Sequence, residues 1–472
     1  MSLRALWIWF SPHARRTLFF ACAALGYWLI SSIPPPSGTQ PEAMKAVAIF
    51  AVCIFFYVTN LLPLMITSLM AVILFPLAGV LDSKTTFALF GNQVVFFILG
   101  AFILASPFMR SGLSKRIALA VLRRFAGSPR VLLLGILLFP AFLSCWMSEH
   151  AVAAMMFPII MDIADCLGLA SRTSRFGKAM FLIMAAGCII GGITTFLGGG
   201  RAPLAIGILK EATGQSVDFI PWALAALPTT ILLLFVAYFL FLYLYPPEIK
   251  DVAHVHEMLE QRRRELGPIS AREITVGVLM LGTIAAWMLY GKSFGLANIA
   301  IIAVIILFAL RLTDWKEVEE DVNWGIFLMY GGAICLGYAM EKTGGAAWLA
   351  HHTLGVFVDS PTLLIGAISL LAITLTELIS NSAVVALLMP VALSMGRDLG
   401  IDPRIMTMVV AIPSGLAFML PMGTPATAIA FSSGFLTTRD TVRTGLILFP
   451  IGWLIFNVSI YWVWPLLGLQ MP

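Results

Sequence analysis

Apolar runs long enough to cross a lipid bilayer recur along this sequence from Thr17 onward. Each is roughly 17 to 25 residues long, and a helix of that length spans a hydrocarbon core about 30 Å thick. Hydrophobic residues make up 60% of the 472 residues and charged residues 11%, whereas charged residues form about a quarter of a water-soluble domain. A transmembrane β-barrel would show short alternating strands instead. The sequence therefore predicts an all-α polytopic membrane protein.

Eleven segments are predicted to be transmembrane helices, and most of the 29 lysines and arginines flank them on one side. Because positive residues are retained in the cytoplasm, this bias predicts a cytoplasmic N-terminus and an external C-terminus. The first run ends in "PPPSG" without a cleavage pattern, so we expect a retained span. We expect the protein in the inner (plasma) membrane of a bacterium. The predicted spans are 17–33, 43–60, 62–81, 90–111, 177–208, 221–245, 273–291, 295–311, 323–342, 404–436 and 443–468.

Two further apolar segments, 131–166 and 361–396, each carry a polar cluster at their middle, "SEH" in the first and "SNS" in the second. A continuous lipid-facing helix would not bury such a cluster without protein or water around it. We therefore predict two re-entrant hairpins with polar tips. The stretch "SKRIALAVLRRF" (Ser114 to Phe125) is amphipathic and basic, which predicts a helix lying in the membrane interface.

The two hairpins belong to an internal repeat. "LSCWMSEHAVAAMMFP" (Leu143 to Pro158) overlays "LTELISNSAVVALLMP" (Leu375 to Pro390), and a long span interrupted near its middle follows each, at 194–203 and 420–428. The predicted hairpins enter from opposite sides, so the repeat is inverted, an arrangement typical of secondary transporters. Unwound backbone exposes carbonyls that coordinate cations, and half-helix N-termini attract anions.

The second half carries Ser380-Asn381-Ser382 at its hairpin tip and Gly423-Thr424-Pro425 in its interrupted span. With "VNWGIFLMYGGAICLGYAMEKTGGAAWLA" (Val322 to Ala350) and "FILGAFILASPFMRSGLSKRIAL", these motifs resemble the divalent anion:sodium symporter family. The resemblance covers nearly the whole chain. It implies sodium-coupled carriage of di- or tricarboxylates or sulfate, by a transport domain that slides across the membrane as a body, an elevator motion.

The resemblance also implies a division of the chain into scaffold and transport parts and a homodimer held by the scaffold. The expected parts are 1–130 (scaffold spans of the first repeat, with the interfacial helix), 131–245 (first hairpin, broken helix and following span of the transport domain), 246–272 (cytoplasmic linker), 273–360 (scaffold spans of the second repeat) and 361–472 (second hairpin, broken helix and last span of the transport domain).

Carried over residue by residue, the resemblance implies two sodium sites and one substrate site between them. The second sodium site would comprise Thr376, Ile379, Asn381 and Gly423. The first, for sodium or a surrogate, would comprise Ser144, Ser148, Glu149 and Gly198. The substrate would contact Ser148, His150, Arg201, Ser380, Asn381, Ser382, Thr424 and Pro425.

The first half-site departs from the family pattern: Glu149 stands where the family has Asn, and His150 where it has Thr. The facing helix has Gly199, Gly200 and Arg201 in place of Thr-Pro-Pro. Four interpretations stay open. Arg201 pairs with Glu149 and replaces the first sodium ion; Glu149 or His150 titrates and couples transport to protons; Arg201 or His150 contacts the anion directly; or the cluster is a structural network.

We therefore predict a cation-coupled transporter of small divalent anions with one sodium ion as its cofactor. In some of these interpretations, Arg201 or protons replace sodium in part. A sodium-independent exchanger, a proton-coupled transporter and a sulfate or sulfonate carrier are alternatives. The expected partners are the anion, lipid and a second copy, and not nucleic acid. An anion channel is a remote alternative. An intramembrane hydrolase is also remote, because adjacent Ser148, Glu149 and His150 cannot readily form a catalytic relay and no "GxSxG" motif is present.

Overall fold

The computed structural model describes residues 12–35, 39–59, 61–354, 360–421 and 423–469. Every regular element within these ranges is a helix, which confirms the all-α prediction. Many helices begin at a polar cap: Asp82, Asn92 and Ser128 each accept a hydrogen bond from an N–H group in the first turn that follows. Such a cap satisfies one of the N–H groups that a helix leaves free at its start.

The first half of the chain forms eleven of the described helices. They are α1 (Pro12–Ser31), α2 (Ala43–Thr59), α3 (Leu64–Leu77), α4 (Ser83–Phe90), α5 (Gln93–Arg110), α6 (Leu113–Phe125), α7 (Pro129–Ser144), α8 (Glu149–Cys166), α9 (Arg175–Gly192), α10 (Arg201–Thr213) and α11 (Phe219–Leu244).

The second half forms another eleven among the described residues. They are α12 (Ala253–Glu265), α13 (Ala271–Phe294), α14 (Leu296–Ala309), α15 (Trp315–Asp321), α16 (Trp324–Thr343), α17 (Gly345–Leu354), α18 (Pro361–Leu375), α19 (Asn381–Asp398), α20 (Pro403–Ala411), α21 (Pro425–Ser432) and α22 (Thr438–Trp462).

The helices have the lengths and compositions of membrane spans, and each predicted span contains at least one of them. Five helical segments of the described chain are individually long and apolar enough to cross a bilayer, and α15 with α16 forms a sixth that bends by 65°. Six shorter apolar helices accompany them. The predicted span 177–208 pairs one of these long helices, Arg175–Gly192, with a short one, whereas 404–436 is made of two short α-helices. The protein is a multi-pass integral membrane protein.

Each predicted hairpin is a pair of helices joined by a short polar turn. Helices α7 and α8 are joined through residues 145–148, and α18 and α19 through 376–380. At the start of the second arm, Ser148 accepts a hydrogen bond from the Ala151 N–H (3.4 Å) and Ser380 from the Ala383 N–H (3.3 Å). The sequence repeat is therefore also a structural repeat, with the same cap at both tips.

The first broken helix packs closely on the first hairpin. Gly187 and Gly191 of α9 lie against the backbone of Leu137 and Ala141 on α7, where a Cβ on either glycine would overlap a carbonyl oxygen. This contact brings the end of α9 up to the hairpin tip. The position of the break is therefore fixed relative to Ser144 and Glu149.

The positions of the two helix breaks correct the sequence prediction. Between α9 and α10 the break covers 193–200, so the last three residues of the predicted 194–203 are already helical. The second break begins at 412, eight residues before the predicted 420–428, and ends at Thr424; its Met422 lies outside the described residues. Pro413 lacks the N–H that would continue α20, and the Thr424 side chain caps α21, whose first residue is Pro425.

The linker 246–272 contains helix α12, which the sequence analysis did not specify. Glu260 pairs with Arg123 of α6 (2.8 Å), and Arg262 pairs with Asp162 near the end of α8 (3.1 Å). The linker helix is thus docked on the amphipathic helix α6 and on the second arm of the first hairpin.

Candidate functional site

Both hairpin tips and both helix breaks meet at one cavity of about 660 Å³. All eight predicted substrate residues line it: Ser148, His150, Arg201, Ser380, Asn381, Ser382, Thr424 and Pro425. Apolar side chains such as Phe102, Ile326 and Met329 form much of the remaining wall. The tips, which lie 232 residues apart in sequence, are therefore neighbours across a single space.

Four helix N-termini end at this cavity, those of α8, α10, α19 and α21. A helix N-terminus presents unpaired N–H groups and the positive end of the helix dipole. Such ends bind carboxylate, phosphate and sulfate groups without further charge. The backbone therefore favours an anion in the cavity, whichever side chains surround it.

The second half-site gathers oxygen atoms of the kind that a sodium ion prefers. The Thr376 hydroxyl oxygen lies 2.7 Å from Asn381 Oδ1 and 2.6 Å from the Ser414 carbonyl oxygen. Because a hydroxyl has one proton, it can donate to only one of these two oxygens at a time. Gly423 approaches the Thr376 carbonyl, and Ile379 is buried in the turn between the arms. Hydroxyl, amide and carbonyl oxygens are typical ligands of hard cations, so the residues present fit a sodium ion.

The first half-site brings its four predicted residues together with an arginine. Gly198 lies against the carbonyl oxygens of Ser144 and Gly192, and Gly192 in turn lies against the Glu149 carboxylate. Within the described chain, the buried Ser144 hydroxyl has no hydrogen-bond partner. Ser148 caps α8 at the edge of the cavity.

Arg201 and Glu149 form a buried ion pair in this half-site. The distance from Nη1 of Arg201 to Oε2 of Glu149 is 3.6 Å, and the two side chains are 2% and 7% exposed. The pair is loose, because Nη2 of Arg201 and Oε2 of Glu149 make no hydrogen bond to any described residue. The pairing on which the surrogate-cation interpretation depends is present, and both groups retain capacity for a further partner.

The Arg201 guanidinium also reaches the other half-site. It occupies the space that a Cβ would need at Gly199 and at Gly415, and Gly415 belongs to the second break. Gly415 directly follows Ser414, whose carbonyl accepts the Thr376 hydroxyl. The positive charge of Arg201 is therefore held between the two breaks.

Trp146 in the first hairpin turn and Glu377 in the second have structural contacts. The Glu377 carboxylate accepts hydrogen bonds from the backbone N–H groups of Phe418, Met419 and Leu420, at 2.7 to 3.1 Å. It therefore satisfies the unwound backbone of the second break. Trp146 stacks on Phe219, with ring centroids 6.4 Å apart.

Several residues around the cavity were not found from the sequence. Arg110 binds Glu320 and Asp321 at the cavity wall, with its Nε 2.6 Å from Asp321 Oδ2. The Tyr330 hydroxyl lies behind Gly200. These contacts join segments far apart in the chain and have no local motif. Ser414 was also not found, although Pro413 beside it was a signal, because a proline interrupts a helix.

Comparisons with known proteins find relatives among membrane transporters. The family described as "Sodium:sulfate symporter transmembrane region" matches residues 15–470. The sodium-dependent dicarboxylate transporter SdcS of Staphylococcus saprophyticus is 27% identical over 468 residues, covering 92% of this chain and 89% of that protein. SdcS of Staphylococcus aureus strain MSSA476 is 26% identical with the same coverage.

Two solved structures share the fold. The Alcanivorax borkumensis YdaH transporter matches with a TM-score of 0.52 and 15% identity, covering 96% of this chain and 98% of that one. Neisseria gonorrhoeae MtrF, described with a class of antimetabolite efflux pumps, matches with a TM-score of 0.55 and 12% identity, covering 97% and 94%. At these identities the likeness concerns the fold alone.

Proposed function

The chain belongs to the sodium:sulfate symporter family, the divalent anion:sodium symporters, and from that premise we propose that it carries small dicarboxylate-like anions with one sodium ion. Members of the family are transporters and not enzymes. The single observation that supports the proposal most is the convergence of both hairpin tips on one cavity that four helix N-termini make favourable for an anion.

In the proposed mechanism a sodium ion binds at the second half-site, near Thr376, Ile379, Asn381 and Gly423. Its charge compensates one carboxylate of the substrate, since an uncompensated anion deep in the membrane is costly. Binding of the ion also orders the tip, so that Ser380, Asn381 and Ser382 are ready to donate hydrogen bonds.

At the first half-site, Arg201 takes the place of a second sodium ion. A guanidinium cannot be released, so this charge remains with the protein during the return step. Because Nη2 of Arg201 has no hydrogen-bond partner among the described residues and the pair with Glu149 is loose, we propose that the same guanidinium also contacts the bound anion. Ser148 and His150 complete this side of the cavity.

The movement is proposed to be an elevator motion of 131–245 and 361–472 against a scaffold of 1–130 and 273–360, in a homodimer within a bacterial inner membrane. The contacts of the docked linker, 246–272, would then connect the moving and static parts on the cytoplasmic face, with the N-terminus inside.

The experiment is uptake into proteoliposomes with sodium and pH gradients varied separately, after a thermal-shift screen with succinate, malate, citrate, sulfate, phosphate and sulfonates. We expect saturable uptake of succinate or malate that an inward sodium gradient accelerates. Uptake driven by a pH gradient alone would support the proton-coupled alternative, and counterflow without sodium the exchanger. Uptake indifferent to both gradients and without counterflow would indicate a channel and overturn the proposal.

A further inference from the structure

Tyr330 places a buried hydroxyl group behind the cavity and leaves it unpartnered. Its side chain is fully buried, and its hydroxyl makes no hydrogen bond within the described part of the chain. A buried polar group left in this way is energetically unfavourable. The hydroxyl occupies the space in which a Cβ at position 200 would stand, so glycine at that position accommodates it.

Helix α16 is closely packed on both sides of this tyrosine. Next to Tyr330, Gly331 packs against the ring of Phe90, and Gly332 packs against the backbone of Ser68. A side chain or a displacement at either glycine would overlap these groups. The tyrosine is therefore held in place by helices α3 and α4, which belong to neither hairpin.

The hydroxyl lies against Gly200, which directly precedes Arg201 at the first break, and Ser382 of the second hairpin tip lines the same cavity close to it. A guanidinium has no acceptor, so Arg201 cannot receive a hydrogen bond from the tyrosine. The Ser382 hydroxyl can receive one, although no such bond is formed in this structure.

We propose that Tyr330 is a positioning residue for the anion: it donates a hydrogen bond to Ser382 Oγ when the anion is bound, which directs the serine proton toward the anion. The proposal rests on the proposed function, because Ser382 is taken as a substrate contact. A serine hydroxyl has one proton and two lone pairs, so a donor behind it fixes the direction in which it donates. Hydrogen bonds in such a chain also strengthen one another.

The test compares Tyr330→Phe, Ser382→Ala and the double variant in uptake of radiolabelled succinate at saturating sodium. Tyr330→Phe keeps the ring and its packing. Losing one oriented neutral hydrogen bond should raise KM about fivefold while Vmax changes by less than about twofold. In the Ser382→Ala background the same change should have no further effect on KM, because the serine hydroxyl that would accept the hydrogen bond from Tyr330 is already absent.

Tyr57→Phe is the matched control, because it removes the 2.6 Å hydrogen bond between buried Tyr57 and Ser68 on the far side of α16. It should leave KM unchanged. An unchanged KM in Tyr330→Phe, or an effect that persists fully in the Ser382→Ala background, would overturn the relay while leaving the transporter intact. Absence of saturable succinate or malate uptake by the wild-type protein would instead contradict the proposed function itself.

Discussion

The Arg201–Glu149 pair concentrates the unusual chemistry of this chain in two side chains. Both are buried, and isolated charges in a membrane protein are expensive unless they are paired. A buried pair need not add stability relative to apolar residues, but removing one partner leaves an uncompensated charge. Measurements of stability and of uptake on the same variants can therefore separate a functional pair from a merely stabilising one.

Arg201→Ala is expected to lower the free energy of unfolding by about 3 kcal/mol, because Glu149 is left buried without its counter-charge. The double variant Arg201→Met/Glu149→Gln should recover most of that loss. Thermal unfolding of the detergent-solubilised protein measures both. Arg397→Ala is the control: its pair with Glu341 is more than half exposed on the arginine side and should be worth less than about 1 kcal/mol.

Equal destabilisation by Arg201→Ala and by the double variant would contradict this account of the pair. The double variant should nevertheless lose uptake even if it is stable. A stable and fully active double variant would show that the charges serve packing alone.

Glu377 shows how one side chain can determine the shape of a helix break. Its carboxylate accepts from three successive backbone N–H groups that would otherwise be unsatisfied in the unwound segment. The same segment carries the Ser414 carbonyl at its start and Gly423 near its end. The geometry of the proposed second cation site would therefore depend on this carboxylate, without direct contact between it and the ion.

Glu377→Gln is expected to destabilise the protein by about 1 to 3 kcal/mol and to weaken sodium binding, because an amide offers one acceptor oxygen where the carboxylate offers two. Sodium dependence of thermal unfolding reports both effects. Glu248→Gln is the matched control, since Glu248 accepts from the Phe176 N–H and the Ser174 hydroxyl at the start of α9, away from the cavity. A normal sodium response in Glu377→Gln would contradict the assigned role.

The docking of linker helix α12 should depend on pH. Hydrogen bonding from Arg263, together with Arg264 and Arg123, lowers the pKa of Glu260 to about 2. Because the folded-state pKa lies below the unfolded value of roughly 4.3, the stabilising contribution is complete above that value and is lost as pH falls toward 2. Spin labels on α6 and α12 should keep a constant separation from pH 8 to about pH 4.5. Separation that changes near pH 6 would contradict this prediction.

Local sequence signals predicted the parts of the site that are made within one segment. Ser148 and Ser380 cap the second arms of hairpins that the polar tips had indicated, and Pro425 begins a helix as its position in the motif implies. Contacts between segments were not predictable in this way. Tyr330 against Gly200 and Arg201 against Gly415 depend on packing between helices that no periodicity encodes. The early start of the second break follows from Pro413, a local signal, whereas the later part of that break depends on Glu377, a tertiary partner.

Across the entire protein, the two repeats meet at the cavity, while contacts elsewhere connect the proposed moving and static parts. On α10, Glu211 accepts from Asn92 (2.5 Å) and Lys210 donates to Gln93 (2.9 Å), both at the start of α5. These bonds lie at the opposite end of α10 from Arg201. An elevator motion would have to break them in every cycle.

A thiol-specific bifunctional methanethiosulfonate linking Asn92→Cys to Glu211→Cys should therefore abolish uptake, and a reductant should restore it. The six native free cysteines are first replaced by serine or alanine. A matched pair, Lys178→Cys/Asp440→Cys, replaces two residues within the proposed transport domain whose side chains form an ion pair of 3.0 Å, and it should tolerate the same crosslink. Full uptake by the crosslinked Asn92/Glu211 pair would exclude relative movement at this contact.

The number of sodium ions carried with each anion decides whether Arg201 replaces one of them. It can be measured in proteoliposomes from the simultaneous initial rates of radiolabelled sodium and succinate entry. With Arg201 fixed at one half-site and an exchangeable ion at the other, the account predicts one sodium ion per succinate in the wild-type protein. Two or more sodium ions per succinate, with a ratio unchanged in Arg201→Ala, would contradict it.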